Sequence, residues 1–170
     1  MKKQSIVRPR LGTWRRESQE PPLCSDPKRK GEMAELAFLC KAAGMGFGVA
    51  KPYGDSERFD FIVSSGRRLW RVQVKSTYKA DKRGYHVHAY SGGKKSCLEI
   101  YSADDVDWIV AYLVSENAWY VIPIKAVDGR NTLYFYPNGS RRASCRYEKY
   151  REAWWLMKAK RKVDVAKRPG

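Results

Sequence analysis

Hydrophobic and polar positions alternate with two different periods along the chain. Over residues 31–43 the helix formers Ala, Leu, Met, Glu and Lys dominate, with Glu32 and Glu35 early and Gly44 as a stop, which predicts a helix. Runs rich in β-branched and aromatic residues at 47–51, 59–63, 69–75, 85–90, 107–114, 118–124 and 133–136 predict strands. Ser64-Ser65-Gly66-Arg67 and Ser115-Glu116-Asn117 have turn chemistry, so 59–63 with 69–75 and 107–114 with 118–124 read as hairpins. Residues 147–160 return to helical spacing, with Tyr150, Trp154 and Met157 along one stripe, and predict a second helix. The chain shows no internal repeat and no low-complexity tract.

The ends read differently. The first thirty residues carry Pro9, Pro21, Pro22 and Pro27 without apolar periodicity, the pattern of an extended arm. Residues 161–170 look like a frayed basic tail. The expected organisation is an arm over 1–27, a mixed α/β domain over 28–160 and a tail over 161–170. A chain of 170 residues suits one such domain with tails, and 43% hydrophobic residues can fill its core.

Several classes drop out. The longest apolar stretches, such as 118–124, fall far short of the ~20 residues that span a bilayer. Met1-Lys2-Lys3-Gln4 is followed by no apolar segment, so no secretory signal is expected. Cys24, Cys40, Cys97 and Cys145 are scattered, with only His86 and His88 to join them, which argues against structural zinc. Free thiols in a reducing cytosol are the plain reading, and a cytoplasmic location is expected.

Charge adds a partner. The formal net charge is +16, of which residues 1–30 hold +6, residues 31–140 hold +2 and residues 141–170 hold +8. Two basic ends flank a nearly neutral middle, an arrangement that points to a polyanion, nucleic acid first.

The middle carries the chemistry. Asp60 lies within the apolar run Phe59-Asp60-Phe61-Ile62-Val63, where an ionised carboxylate is unfavourable without a cation or a hydrogen bond. In Trp70-Arg71-Val72-Gln73-Val74-Lys75, Gln73 and Lys75 share one face while Val72 and Val74 share the other. A turn at Ser65-Gly66 brings Asp60, Gln73 and Lys75 toward one end of the hairpin, and the preceding helix offers Glu32 and Glu35. Carboxylates, an amide oxygen and a lysine suit Mg²⁺, which binds hard oxygens together with phosphate and activates water. That is machinery for phosphodiester hydrolysis.

These residues resemble the PD-(D/E)xK nuclease superfamily. The order Arg29-Lys30-Gly31, Glu35, Gly46-Phe47, Asp60 and the Val74-Lys75 strand is similar to archaeal Holliday-junction resolvases. More closely, Gly31 to Glu35, Pro52 to Asp55, Asp60 to Val63 and Val72 to Thr77 resemble the group I intron-associated PD-(D/E)xK endonucleases, as do Val106-Asp107 and Trp119 to Pro123. The resemblance implies a restriction-endonuclease-like core with a mixed, largely antiparallel central sheet flanked by helices. It implies Asp60 as central metal ligand, Lys75 as catalytic lysine, and Glu35 as the helix carboxylate completing the site. Gln73 takes the place of the usual Asp or Glu and can coordinate through its oxygen, with the Val74 carbonyl as a further ligand. The implied protein is a DNA endonuclease using Mg²⁺, with Mn²⁺ as a substitute, acting as a homodimer or higher oligomer. A nucleic-acid-binding module that keeps the fold without cutting, and a junction resolvase, are the alternatives. Phe59 replaces the usual proline, and residues 91–106 leave little room for the fold's long crossover helix.

Around that site, Ser56, Ser76 and Thr77 are candidate phosphate contacts, with turn or strand roles as the alternative. His86 is a candidate DNA contact that shares a strand face with His88, an ordinary strand pair being the plain alternative. Lys94 and Lys95, which follow Gly92-Gly93, are counted with Ser56, Ser76, Thr77 and His86 as candidate DNA contacts. Trp108, Trp119 and Trp154 sit in apolar runs and are expected in the core.

Overall fold

The computed structural model describes residues 26–54, 56–82, 84–91, 98–139 and 145–159. Lys94, Lys95, most of the basic arm and the basic tail lie outside the described residues. The first helix, α1, spans Pro27–Gly44 and begins four residues before the expected 31. The Asp26 side chain accepts a hydrogen bond from the Lys28 N–H, and Pro27 sits at the first helical position, where its missing N–H costs nothing. The helix ends as Met45 N–H turns back onto Lys41 and Ala42 carbonyls and Gly46 takes φ +84°. Ala34, Phe38 and Ala42 are buried and form the stripe that faces the sheet.

Among the described residues nine strands follow, in part as expected: β1 Gly48–Ala50, β2 Phe61–Ser65, β3 Arg68–Thr77, β4 Tyr85–His88, β5 Tyr90–Ser91, β6 Glu99–Ile100, β7 Trp108–Leu113, β8 Ala118–Pro123 and β9 Thr132–Phe135. A short helix, α2, occupies Ile124–Val127. The central sheet has the order β1-β2-β3-β7-β8, antiparallel throughout except for the parallel pair β3 and β7. The sheet is thus mixed and largely antiparallel. The parallel pair requires a crossover, and β4, β5 and β6 provide it where the fold usually has a long helix. β4 pairs with β9, and β5 with β6, in two small ribbons beside the main sheet.

The sheet buries both faces. Val72 and Val74 of β3 join Phe38 and Ala42 of α1, Val110, Trp119, Trp154 and Met157 in one core. Ile109, Leu113, Tyr120 and Ile122 pack with Val87, Leu133 and Phe135 in the other. Strand alternation therefore turns Gln73 and Lys75 away from α1's apolar stripe.

Three expectations are corrected. Of the expected helix over 147–160, the described residues 147–159 form no α-helix but two 3₁₀ turns, Glu148–Tyr150 and Trp154–Leu156. Arg151 bridges to Tyr120, and Glu152, at φ +48°, donates its N–H to the Trp119 carbonyl at 2.7 Å. The backbone spends its hydrogen bonds on the edge of β8, which breaks the helical ladder, while Trp154 and Met157 still reach the core. The run 85–90 divides at Ala89, whose N–H bonds Asn131 and whose carbonyl accepts from Tyr101, so it joins both small ribbons. Asp60 lies just before β2 rather than within it. Among the described residues, no helix is long and apolar enough to cross a membrane.

Candidate active site

Asp60 is held by the hairpin it precedes. Its N–H donates to the Val72 carbonyl at 2.9 Å, which extends the β2–β3 pairing by one step. Its side-chain Oδ2 accepts two hydrogen bonds from β3, from Val74 N–H and from Gln73 Nε2, both at 2.7 Å. Among the described residues nothing donates to Oδ1. Gln73 is 7% exposed and is the one buried polar or charged residue among those described. Burial pushes the Asp60 carboxyl up to about 6, with Glu35 adding to the rise, while the Val74 N–H, Lys75 and Gln73 oppose it. A carboxylate desolvated this far favours a cation in its neighbourhood.

Lys75 lies two residues along β3 and so on the same face as Gln73. Its Nζ donates to the Tyr101 hydroxyl at 3.3 Å and lies 5.1 Å from that ring's centroid. Burial lowers the pKa of this ammonium, and the charges of Asp60 and Glu35 partly restore it. Glu35 reaches the same space from α1, one residue past the buried Ala34, with Lys51 Nζ on its carboxylate at 2.7 Å. A cleft of about 720 Å³ collects Glu35, Asp60, Gln73, Val74 and Lys75, and Lys30 and Lys79 also line it.

The structure therefore gathers the four side chains that the sequence singles out as catalytic. Ser76 and Thr77 line the cleft as well. Ser56 and Glu32 are exposed and do not line it. His86 and His88 do share one face of β4, with ring centroids 5.5 Å apart, but they stand outside the cleft lining. His86 Nδ1 lies 3.5 Å from the Asp81 carboxylate. Burial, then the charges of His86 and Lys75, lower the His88 pKa. Sequence reasoning missed Lys51 and Tyr101. Lys51 had a weak signal, a lysine ending the strand after the helix, whereas Tyr101 approaches Lys75 across 26 residues with no local pattern to betray it.

The donor chemistry fits a hard divalent cation. Asp60 Oδ1, the Glu35 carboxylate and the Val74 carbonyl are hard oxygens suited to Mg²⁺, which keeps several waters. Among the described residues, no three His, Cys, Asp or Glu side chains cluster as a metal group, so the set relies on two carboxylates with amide and backbone oxygens. Gln73 turns its amide nitrogen to Asp60, so presenting its oxygen to a shared cation takes a half-turn of the amide.

A mixed sheet with a helix carboxylate, an aspartate before one strand and a lysine on the next defines a nuclease class. The PD-(D/E)XK endonuclease family model matches residues 25–157, and the chain belongs to that family. Among solved structures it is similar to a bacterial homing endonuclease, I-Ssp6803I, at 31% identity and a TM-score of 0.70, covering 78% of this chain and 93% of that one. The crystal structure of MepB also aligns, at 12% identity and a TM-score of 0.39, over 71% of this chain and 92% of that one. No curated protein matches the sequence.

Proposed function

We propose that the protein is a divalent-metal-dependent DNA endonuclease, with Mg²⁺ as the metal and Mn²⁺ as a substitute, and with Asp60, Glu35, Gln73 and Lys75 as its site. The observation that carries this reading is the Asp60 carboxylate. It is half-buried, fixed through one oxygen by β3, accepts nothing at the other from the described residues, and lines a cleft shared with Glu35 and Lys75. Asp60 Oδ1, the Val74 carbonyl and Glu35 would hold the metal, and Gln73 joins them if its amide turns. When bound, the metal lowers the pKa of an attacking water and offsets charge on the scissile phosphate.

The chain's own groups do the rest. Val74 N–H and Gln73 fix the orientation of Asp60. Lys75 brings a positive charge to the phosphate and to the water that attacks it. Ser76 and Thr77 offer hydroxyls to phosphate oxygens, and Lys30 and Lys79 hold the backbone further along the cleft. The +6 and +8 of the two ends add a salt-sensitive grip on DNA. His86, Lys94, Lys95 and Ser56 are assigned to flanking backbone contacts. Cutting both strands calls for two sites, so the working unit is a homodimer or higher oligomer. Met33 and Leu36, exposed on the outer side of α1, supply apolar surface for it.

A second reading is favoured by the Asp60–Gln73 bond, which with the Val74 N–H satisfies one oxygen of the half-buried carboxylate without a metal. On that reading the chain binds DNA and does not cut it. Purified protein incubated with supercoiled plasmid, linear duplex and a four-way junction, with Mg²⁺, Mn²⁺ or chelator, separates the two. Metal-dependent nicking supports the nuclease. Salt-sensitive binding without cleavage in any metal supports the binding module, and cleavage confined to the junction identifies a resolvase.

A further inference from the structure

Lys75 lies in the field of two carboxylates, Asp60 and Glu35, yet among the described residues it forms no ion pair with either. A lysine on a flexible four-carbon stem ordinarily closes onto a neighbouring carboxylate, since its ammonium is a compact point charge. Something holds it off. Its hydrogen-bond partner is the hydroxyl of Tyr101 at 3.3 Å, and its Nζ also lies against that ring, 5.1 Å from the centroid.

Tyr101 is built to stay in place. It is 6% exposed, follows β6, and donates its N–H to the Ala89 carbonyl at 3.1 Å. The Arg58 guanidinium lies 5.5 Å from the same ring's centroid. Arg58 is in turn ion-paired to Asp105 at 3.2 Å and to Glu99 at 3.1 Å. One aromatic ring is shared between two cations, the ion-paired Arg58 and Lys75.

We propose that Tyr101 is a positioning residue for Lys75, its phenol holding the ammonium apart from Asp60 and Glu35 so that the space between them stays open to the scissile phosphate. The proposal rests on the reading of Lys75 as the catalytic lysine. Without Tyr101 the lysine falls onto Asp60, occupies that carboxylate's free oxygen, and the phosphate meets a neutralised pair. Binding of DNA along the cleft depends on other groups and is left intact.

The test uses the full chain and two variants. Tyr101→Phe keeps the ring and the packed volume but removes the acceptor, and Tyr101→Leu removes both. Kinetics on a cleaved DNA substrate with saturating Mg²⁺ should show kcat reduced about tenfold in Tyr101→Phe with KM unchanged. Tyr101→Leu should lose more. In parallel, NMR of lysine-labelled, metal-free protein follows the Lys75 methylene signal, identified by its absence in Lys75→Met. Tyr101→Phe should shift this signal and increase its mobility, and Tyr101→Leu should abolish its ring-current displacement. Unchanged kcat together with an unchanged Lys75 signal overturns the proposal. Failure of the wild-type protein to cleave any DNA counts against the nuclease reading alone, because the NMR signal still decides whether Tyr101 positions the lysine.

Discussion

Gln73 Nε2 donates to Asp60 Oδ2 at 2.7 Å, and this bond ties the segment before β2 to the central strand of the sheet. A neutral amide stands where a third carboxylate would bring further negative charge. Gln73→Glu replaces the donor with a second carboxylate at the same oxygen. The metal-free variant should be destabilised by like-charge repulsion, and added Mg²⁺ should raise its melting temperature more than it raises that of the wild type. Gln73→Ala should cost about 1–3 kcal/mol, since it withdraws one of the two donors from a half-buried carboxylate. Calorimetry with and without Mg²⁺ reads both outcomes.

Asp60 makes stability depend on pH. Its folded pKa of about 6 stands above the ordinary 3.8, so the native state holds this proton more tightly than the unfolded chain does. Below about pH 4 the group has no effect. Between pH 4 and 6 stability falls as the pH rises, and above 6 the full cost, on the order of 3 kcal/mol, is present. Metal-free Asp60→Asn should therefore be more stable than the wild type at pH 7.5, and the difference should shrink toward pH 4. Denaturation in chelator across that range checks it, and a pH-independent difference would contradict it.

Trp154 is 1% exposed and packs against Phe38 of α1 and Trp119 of β8. Trp154→Ala should cost about 3–5 kcal/mol by leaving a cavity among these rings. Urea denaturation of the variant measures this, and a loss below 1 kcal/mol would show that the C-terminal segment is peripheral to the core.

Leu36 is 64% exposed on α1, away from the buried stripe. If the outer face of α1 joins two copies, Leu36→Glu should convert a dimer to a monomer in light scattering while leaving the fold intact. A wild-type monomer at all concentrations, with and without DNA, would remove the oligomer.

What the sequence disclosed about the site was local. Asp60, Gln73 and Lys75 belong to one hairpin closed at Gly66, and a period-two pattern carried them to one place. Glu35 was readable because helix α1 ends just before β1. Non-local relations were not readable. Nothing near His88 announces that it pairs with Thr132, and nothing near Tyr101 announces Lys75. The stripe of Tyr150, Trp154 and Met157 misled in a specific way. Trp154 and Met157 are buried and Tyr150 partly so, but Glu152 at positive φ and the pairing of Arg151 with Tyr120 gave the backbone another use.

On the proposed function, Asp60 and Lys75 carry out metal-dependent cleavage of DNA. Supercoiled plasmid incubated with Mg²⁺ and wild-type, Asp60→Ala or Lys75→Ala protein, each first shown to be folded, tests it most directly. Nicking by the wild type, absent in chelator and lost in both variants, is the expected result, whereas nicking by both variants at the wild-type rate would remove Asp60 and Lys75 from the chemistry.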